Sequence, residues 1–313
     1  MRLTRHRSLP VAGALLLAAM FLTGCEVNLN TEGLSARETK TFKVAGLPDI
    51  DLSTFDGAIE IHSWDKPAVE VEIEKRAMEQ SLIDQIKVEA TQQGDRIVLK
   101  VTGPPRTEFG GVTIGVNISP TARLRVVVPR ASNVVAHSGD GSIRAEALDG
   151  KIVLNTADGS VTATRLSGEI QVRSGDGAIR LDKVTGKLDL ETDDGSIGFE
   201  GQPSVLRLKT GDGSVRAQIE PDTVMTDNWD VTTGDGSVTL TLPSAFNAEL
   251  DAETSDGAVR SSHPLLDDGR DERRSGEGGD ERRDRRRVMR TKMGEGGKTL
   301  RVRTGDGTIR IER

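Results

Sequence analysis

Five Asp-Gly pairs follow one another at a fixed spacing of 18 residues: Asp140-Gly141, Asp158-Gly159, Asp176-Gly177, Asp194-Gly195 and Asp212-Gly213. Each is followed by Ser or Ala and then by Ile or Val. The pair recurs at looser spacing at Asp56-Gly57, Asp235-Gly236, Asp256-Gly257 and Asp306-Gly307. A short fixed period means one small unit stacked on copies of itself, with a core running lengthwise through the stack. That constrains the fold class and weighs against most enzyme architectures.

With the Asp of each unit as position one, position four reads Ile143, Val161, Ile179, Ile197, Val215, and position six reads Ala145, Ala163, Leu181, Phe199, Ala217. Position thirteen is Ile152, Ile170, Leu188, Leu206, and position fifteen is Leu154, Val172, Leu190, Leu208. Position seventeen is Thr156, Ser174, Thr192, Thr210. Apolar residues two apart put alternate side chains on one face, so each unit is two short strands. Asp-Gly makes one turn, with Gly free to take a positive φ; a second turn falls at Asp149-Gly150, Ser167-Gly168 and Thr185-Gly186.

Two all-β architectures fit: a β-solenoid of 18-residue two-strand coils, or an antiparallel meander of hairpins. The turn chemistry suits hairpins. The outward columns favour stacking, because position sixteen reads Arg173, Glu191, Lys209 in successive units. In register these are neighbours of alternating sign, each pair contributing about 0.2–1 kcal/mol. A long meander with one apolar face has nothing to cover that face, whereas a coil closes two sheets onto each other. A membrane barrel is excluded, since the strands fall short of the roughly 9–11 residues needed and carry charges outward. The expected fold is therefore the β-solenoid, with irregular coils at its N-terminal end.

Residues 1–24 read as a signal peptide. Arg2, Arg5 and Arg7 precede an apolar run from Val11 to Leu22, which ends at Leu22-Thr23-Gly24-Cys25. This segment resembles the bacterial lipobox, which implies acylation of Cys25 through its sulfur and a lipid anchor. Cys25 is the only Cys, so no disulfide can form within the chain. Glu26 rather than Asp follows it, which by resemblance to a lipoprotein sorting rule points to the outer membrane of a Gram-negative cell envelope. Without residues 1–24 the chain keeps 39 Lys and Arg against 49 acids, about −10 in net charge. An acidic chain with no Tyr and only Trp64 and Trp229 is no partner for nucleic acid.

Residues 25–40 read as a polar tether. From Thr41 strand patterns appear at Ala58 to Ile61, Ala68 to Ile73, Arg96 to Val101, Val112 to Ile118 and Leu124 to Val128, with a short helix or turn in Met78 to Val88. One domain spans 41–313, with regular repeats over about 133–260. Residues 263–298 interrupt it, and eight acids and eight Arg crowd Asp267 to Arg287. Such a segment buries too little apolar area to order itself, so disorder is expected. Residues 299–313 restore the pattern as a final coil.

The lipobox, the strand motif from Asp51 to Ile61 with Trp64 behind it, and the run of (Thr/Ser)-x-Asp-Gly-(Ser/Ala)-(Ile/Val) units together resemble the bacterial putative-adhesin family. That group of envelope proteins with β-strand repeats is known as a domain of unknown function. The resemblance covers about residues 41–313 and brings no catalytic residues with it.

The residues themselves offer little chemistry. His62, His137 and His263 stand apart, none with a second ligand at metal spacing, and nothing resembles a nucleophile elbow or a P-loop. No catalytic, cofactor or metal residues are expected. The stacked Asp column suggests either turn-forming residues that bond their own backbone or a Ca²⁺ site; the missing Gly-Gly-x-Gly-x-Asp favours the former. The expected function is a non-enzymatic, lipid-anchored envelope protein that presents its side surface to an envelope protein or surface ligand, in adhesion or envelope stress. The alternative is a polysaccharide-active β-helix enzyme using position seven, where Glu146, Asp182 and Glu200 are interrupted by Thr164.

Overall fold

The computed structural model describes residues 26–30 (backbone only), 33–105, 119–266 and 287–313. The described residues are all-β apart from the helix Gln80–Gln85, which falls inside the segment expected to hold one. Successive units pair in parallel with an offset of 18: Ile143 faces Val161, Ile152 faces Ile170, and Leu188 faces Leu206. The meander is therefore set aside in favour of a solenoid-like stack of rungs. Each rung gives one strand to a first wall, such as Asp149–Thr156, and one to a second wall, such as Val161–Thr164. The long strands Ile179–Thr192 and Ile197–Thr210 run from the second wall into the first.

The alternation read from sequence is the alternation of burial. Ile143 and Ala145 face inward while Arg144 is exposed, and the same holds along Val215–Ile219. One apolar core fills the space between the walls from Phe42 to Ile311. Burying each such Leu, Ile or Val removes it from water at a gain of about 1.5–3 kcal/mol, repeated at every rung.

The rung order departs from chain order at both ends. In the first wall, Thr299–Thr304 pairs with Trp229–Thr233 on one side and with Ala248–Thr254 on the other. In the second wall, Ile309–Glu312 likewise lies between Val238–Thr241 and Val259–Ser261. The final coil is thus not the outermost rung but the penultimate one. At the other end Asp49–Thr54 sits between Arg96–Thr102 and Asn133–Ser138, and Ile59–Trp64 sits between Thr121–Pro129 and Ile143–Glu146. Residues 49–64 at one end and 299–312 at the other are thus each wedged one rung inside the end of the parallel stack.

Antiparallel strands cover the ends. Lys87–Gln93 pairs with Arg96–Thr102, and Ala68–Ala77 pairs with Thr121–Pro129. Two expectations are corrected here. Residues 33–40 are not tether: Gly33–Lys43 is a strand pairing with Ala68–Ala77, and Glu26–Asn30 pairs with it in turn. Phe42, buried, and the ion pair of Arg37 with the buried Glu74 hold that strand down. Nor is the whole of 263–298 a loop, since Arg287–Met293 pairs antiparallel with Ala248–Thr254 and buries Met293. The expected strand at Val112 to Ile118 and the most highly charged stretch, 267–286, lie outside the described residues.

Candidate functional site

The corner where Asp-Gly joins the two walls is built by a buried hydroxyl. Thr210 Oγ1 accepts from the Gly213 amide at 3.2 Å and donates to the Gly195 carbonyl of the rung before at 2.8 Å. Thr156, Ser174, Thr233 and Thr304 repeat both contacts. Position seventeen is therefore a polar column inside the core, satisfied rung by rung. Gly57 has the expected positive φ (121°), but in the regular units the Gly of Asp-Gly is required for a different reason. At Gly159, Gly177, Gly195 and Gly213 the φ is not positive; instead a Cβ on Gly177 would lie 2.0 Å from the Gly159 carbonyl oxygen. The second turn does use positive φ, at Gly168 (114°) and Gly186 (110°).

The Asp side chains do not bond their own turns, as the sequence reading supposed. Among the described residues the carboxylates of Asp158, Asp176, Asp194 and Asp212 carry no hydrogen bond or ion pair, and all four are exposed. The wedged terminal rung adds Asp306 between Asp235 and Asp256, so the column is unbroken. At rung spacing of about 4.8 Å, neighbouring charges in water repel by about 0.9 kcal/mol before screening. Among the described residues no group of three or more His, Cys, Asp or Glu is placed to hold a metal ion.

Several charges on the outward face of the first wall pair with one another. Glu191 accepts from Lys209 Nζ at 2.7 Å and Arg173 Nε at 3.3 Å. One column alternates in sign over successive strands, running Asp189, Arg207, Asp230, Arg301, Asp251, Arg290. Asp251 is held by Arg303 Nη2 at 2.7 Å and Arg290 Nε at 3.2 Å. The hydrogen bond from Lys209, against some desolvation and with Arg173 added, lowers the pKa of Glu191. That from Arg303 does the same for Asp251, again opposed by burial and assisted by Arg290. At Glu74 burial pushes the pKa up, but hydrogen bonds from Arg37 and Arg76 outweigh it.

A depression of about 380 Å³ lies at the C-terminal end of this wall, lined by Glu249, Asp251, Arg290, Lys292, Thr299 and Arg301 among others. It holds no aromatic ring, and Asp251 is committed to its arginines. The position-seven residues lie on the second wall instead, where Glu146 faces Thr164 and Thr164 faces Asp182. Glu146 is engaged by His62 Nδ1 at 3.2 Å and by Arg165. Trp229, which a sugar platform would need at the surface, is buried against Phe246 with ring centroids 5.6 Å apart. Trp64, half-buried at the end of the strand that carries His62, has Lys66 Nζ 4.5 Å from its ring centroid.

The histidines are not brought together. His62 is half exposed beside Glu146, and His137 meets Asn155 at 3.3 Å. His263 is buried, its Nδ1 accepting from the Leu265 amide at 3.2 Å and its Nε2 donating to the Pro243 carbonyl at 2.9 Å. It is a structural clamp on the turn after Val259–Ser261. Cys25, the expected lipidation site, lies outside the described residues.

Sequence reasoning missed a second outward column, at position five. Arg144, Thr162, Arg180, Gly198, Arg216, Thr239, Arg310 and Arg260 stand in one row along the second wall. The five arginines are all exposed. Arg144, Arg180 and Arg216 recur at twice the 18-residue period, and Arg260 and Arg310 hold the same position after Asp256-Gly257 and Asp306-Gly307; the strand order at the end of the stack sets the place of these two in the row.

A search of curated proteins finds no match. Solved structures to which the chain is similar include a protein described as a putative adhesin from Bacteroides fragilis, with a TM-score of 0.44 and 11% identity over 88% of this chain and 96% of that one. A putative cell adhesion protein from Clostridium sporogenes matches with a TM-score of 0.28 and 14% identity over 89% and 99%. A putative lipid binding protein from Parabacteroides distasonis matches with a TM-score of 0.34 and 12% identity over 88% and 96%. The family model described as Toastrack DUF4097 matches residues 48–312, nearly the whole of the stack just described, and the chain therefore belongs to the Toastrack DUF4097 family.

Proposed function

We propose that this protein is a non-enzymatic component of the cell envelope, anchored by lipid at Cys25, that presents the side of its rung stack to a partner. The observation that carries the reading is the continuity of the outward faces. Parallel pairing runs unbroken from Arg96–Thr102 to Ala248–Thr254, and it yields long in-register columns of side chains. Such a surface is suited to binding something extended, and less suited to enclosing a reacting group.

The anchor follows from the lipobox, and the geometry around it gives the reading an orientation. The strand Glu26–Asn30 begins one residue after Cys25 and is the outermost strand at the N-terminal end of the second wall. An acyl chain on Cys25 would hold that end at the bilayer and leave Arg287–Met293, at the far end, most distant from it. Outer-membrane placement in a Gram-negative cell follows from Glu26 by the sorting rule. Metabolic labelling with an alkyne fatty acid, followed by fractionation, tests the anchor. Wild type should carry the label and sediment with membranes, and Cys25→Ser should do neither; a Cys25→Ser chain still found with membranes would overturn the reading.

A further inference from the structure

A column of like charges one rung apart repels itself, and the two walls solve the problem differently. The first wall alternates sign, so each charge has opposite charges on the neighbouring rungs. Between Arg144 and Arg310 the position-five row of the second wall carries only cations and inserts neutral rungs: Thr162, Gly198 and Thr239 separate Arg144, Arg180, Arg216 and Arg310. Beyond that stretch Glu60 lies beside Arg144 and Arg260 beside Arg310. The spacing relieves repulsion, yet it leaves the guanidinium groups open. Among the described residues Arg180, Arg216 and Arg310 are exposed and make no ion pair or side-chain hydrogen bond. Arg180 lies back along its neighbour, its Cγ 3.9 Å from where a Cβ would sit on Gly198, so its fork is carried by a packed stem.

We propose that this row is a binding site for a linear polysaccharide bearing a carboxylate on alternate sugars. Cations on every second rung recur at about 9.6 Å along a straight line, a spacing that matches two sugar units of an extended chain. A guanidinium takes a carboxylate through two parallel N–H···O bonds, which suits this anion better than a diffuse charge. The intervening Thr162 and Thr239, with Thr164 and Thr241 two residues further along the same strands, offer hydroxyls to sugar hydroxyls. No aromatic ring lies in the row, so affinity rests on charge and falls with salt.

The surroundings select against denser polyanions. The exposed carboxylates of Asp158, Asp176, Asp194 and Asp212 run along the neighbouring corner, and the chain is net acidic. DNA, with one charge per roughly 1.7 Å of axis, cannot meet the arginines without also meeting those carboxylates. A sparsely charged polymer can. This deepens the surface-interaction reading above and rests on it.

The test is calorimetric titration of the purified chain at about 50 mM salt with hyaluronan oligosaccharide, which has one carboxylate per disaccharide. Dextran and duplex DNA serve as neutral and dense-charge comparisons. Hyaluronan should bind and dextran should not. Arg180→Ala, Arg216→Ala and Arg310→Ala together should weaken binding by about tenfold or more, as expected for lost charge-assisted contacts. Arg173→Ala, Lys209→Ala and Arg301→Ala on the first wall change the net charge equally and should leave affinity within about twofold. The single variant Arg216→Gln, expected to lose about threefold, keeps the test valid if the triple variant fails to fold by circular dichroism. Absence of hyaluronan binding, equal loss in both triple variants, or tighter binding of DNA would overturn the proposal. Failure here with Cys25 acylated would remove the polysaccharide site and leave the anchored-surface reading standing.

Discussion

Thr304 donates its hydroxyl to the carbonyl oxygen of Gly236 at 2.8 Å, across 68 positions of sequence. Thr254, fifty residues earlier in the chain, donates instead to Gly307 at 2.9 Å. The hydroxyl column thus records the rung order: 229–241, then 299–312, then 248–261. It also shows that this column ties each rung to the next through a buried polar contact.

Replacing one hydroxyl should therefore be costly. Thr210→Val is nearly isosteric but removes the donor to Gly195 and the acceptor for the Gly213 amide, both buried. A loss of about 1–3 kcal/mol in unfolding free energy is expected. Thr210→Ser keeps both bonds and should cost less than about 1 kcal/mol. Urea unfolding of the two variants compares them; equal losses would assign the column to packing alone.

Glycines of two kinds should respond oppositely to Ala. At Gly177 a Cβ would sit 2.0 Å from the Gly159 carbonyl oxygen, so the rungs must part and several kcal/mol are expected to be lost. At Gly198 the nearest atoms are 3.9 Å away and the φ is not positive. Gly198→Ala should stabilise by about 0.4–1 kcal/mol, by restricting the unfolded chain. Thermal unfolding of both variants decides the matter, and a tolerated Gly177→Ala would contradict the close approach.

Acid should weaken the stack in a defined window. Glu74, Glu191 and Asp251 have folded pKa values below their ordinary values of 4.5, 4.5 and 3.8. A depressed carboxylate contributes stability above its unfolded pKa and loses it as pH falls through the folded one. Unfolding free energy should therefore hold steady from neutral pH to about 5 and decline below about 4.5. Glu191→Gln should flatten part of that decline. A double-mutant cycle between Arg173 and Glu191, at 3.3 Å, should give a coupling of about 0.2–1 kcal/mol; zero coupling would mean that the in-register pair is not formed in solution.

Much of this architecture was legible in the sequence because an 18-residue period is also a register. Leu190 was expected between Val172 and Leu208, and Glu191 between Arg173 and Lys209; the strands place them so. The end topology was harder. Rungs 248–261 and 299–312 carry equivalent inner residues, Leu250 with Leu300 and Ala252 with Val302, so apolar pattern alone cannot order them. The charges could have done so: in chain order Asp230 would stack on Asp251, whereas the observed order inserts Arg301 between them. The role of the Asp-Gly glycine was misread for a related reason. Residue identity reports permissive φ and close approach alike, and only the path of the neighbouring rung distinguishes them. The arginine row escaped notice because half of its rungs are neutral and two of its members come from the reordered end.

The rung order at the C-terminal end is the claim most open to direct measurement. In a Cys25→Ser background, cysteines at 230 and 301 would occupy adjacent in-register positions, within the range a disulfide spans; cysteines at 230 and 251 would be two strands, about 9.6 Å, apart. Mild oxidation followed by non-reducing electrophoresis and peptide mapping should show an intramolecular bridge for Asp230→Cys with Arg301→Cys. It should show none for Asp230→Cys with Asp251→Cys. A bridge between 230 and 251 with none between 230 and 301 would mean that the rungs stack in chain order, contradicting the account.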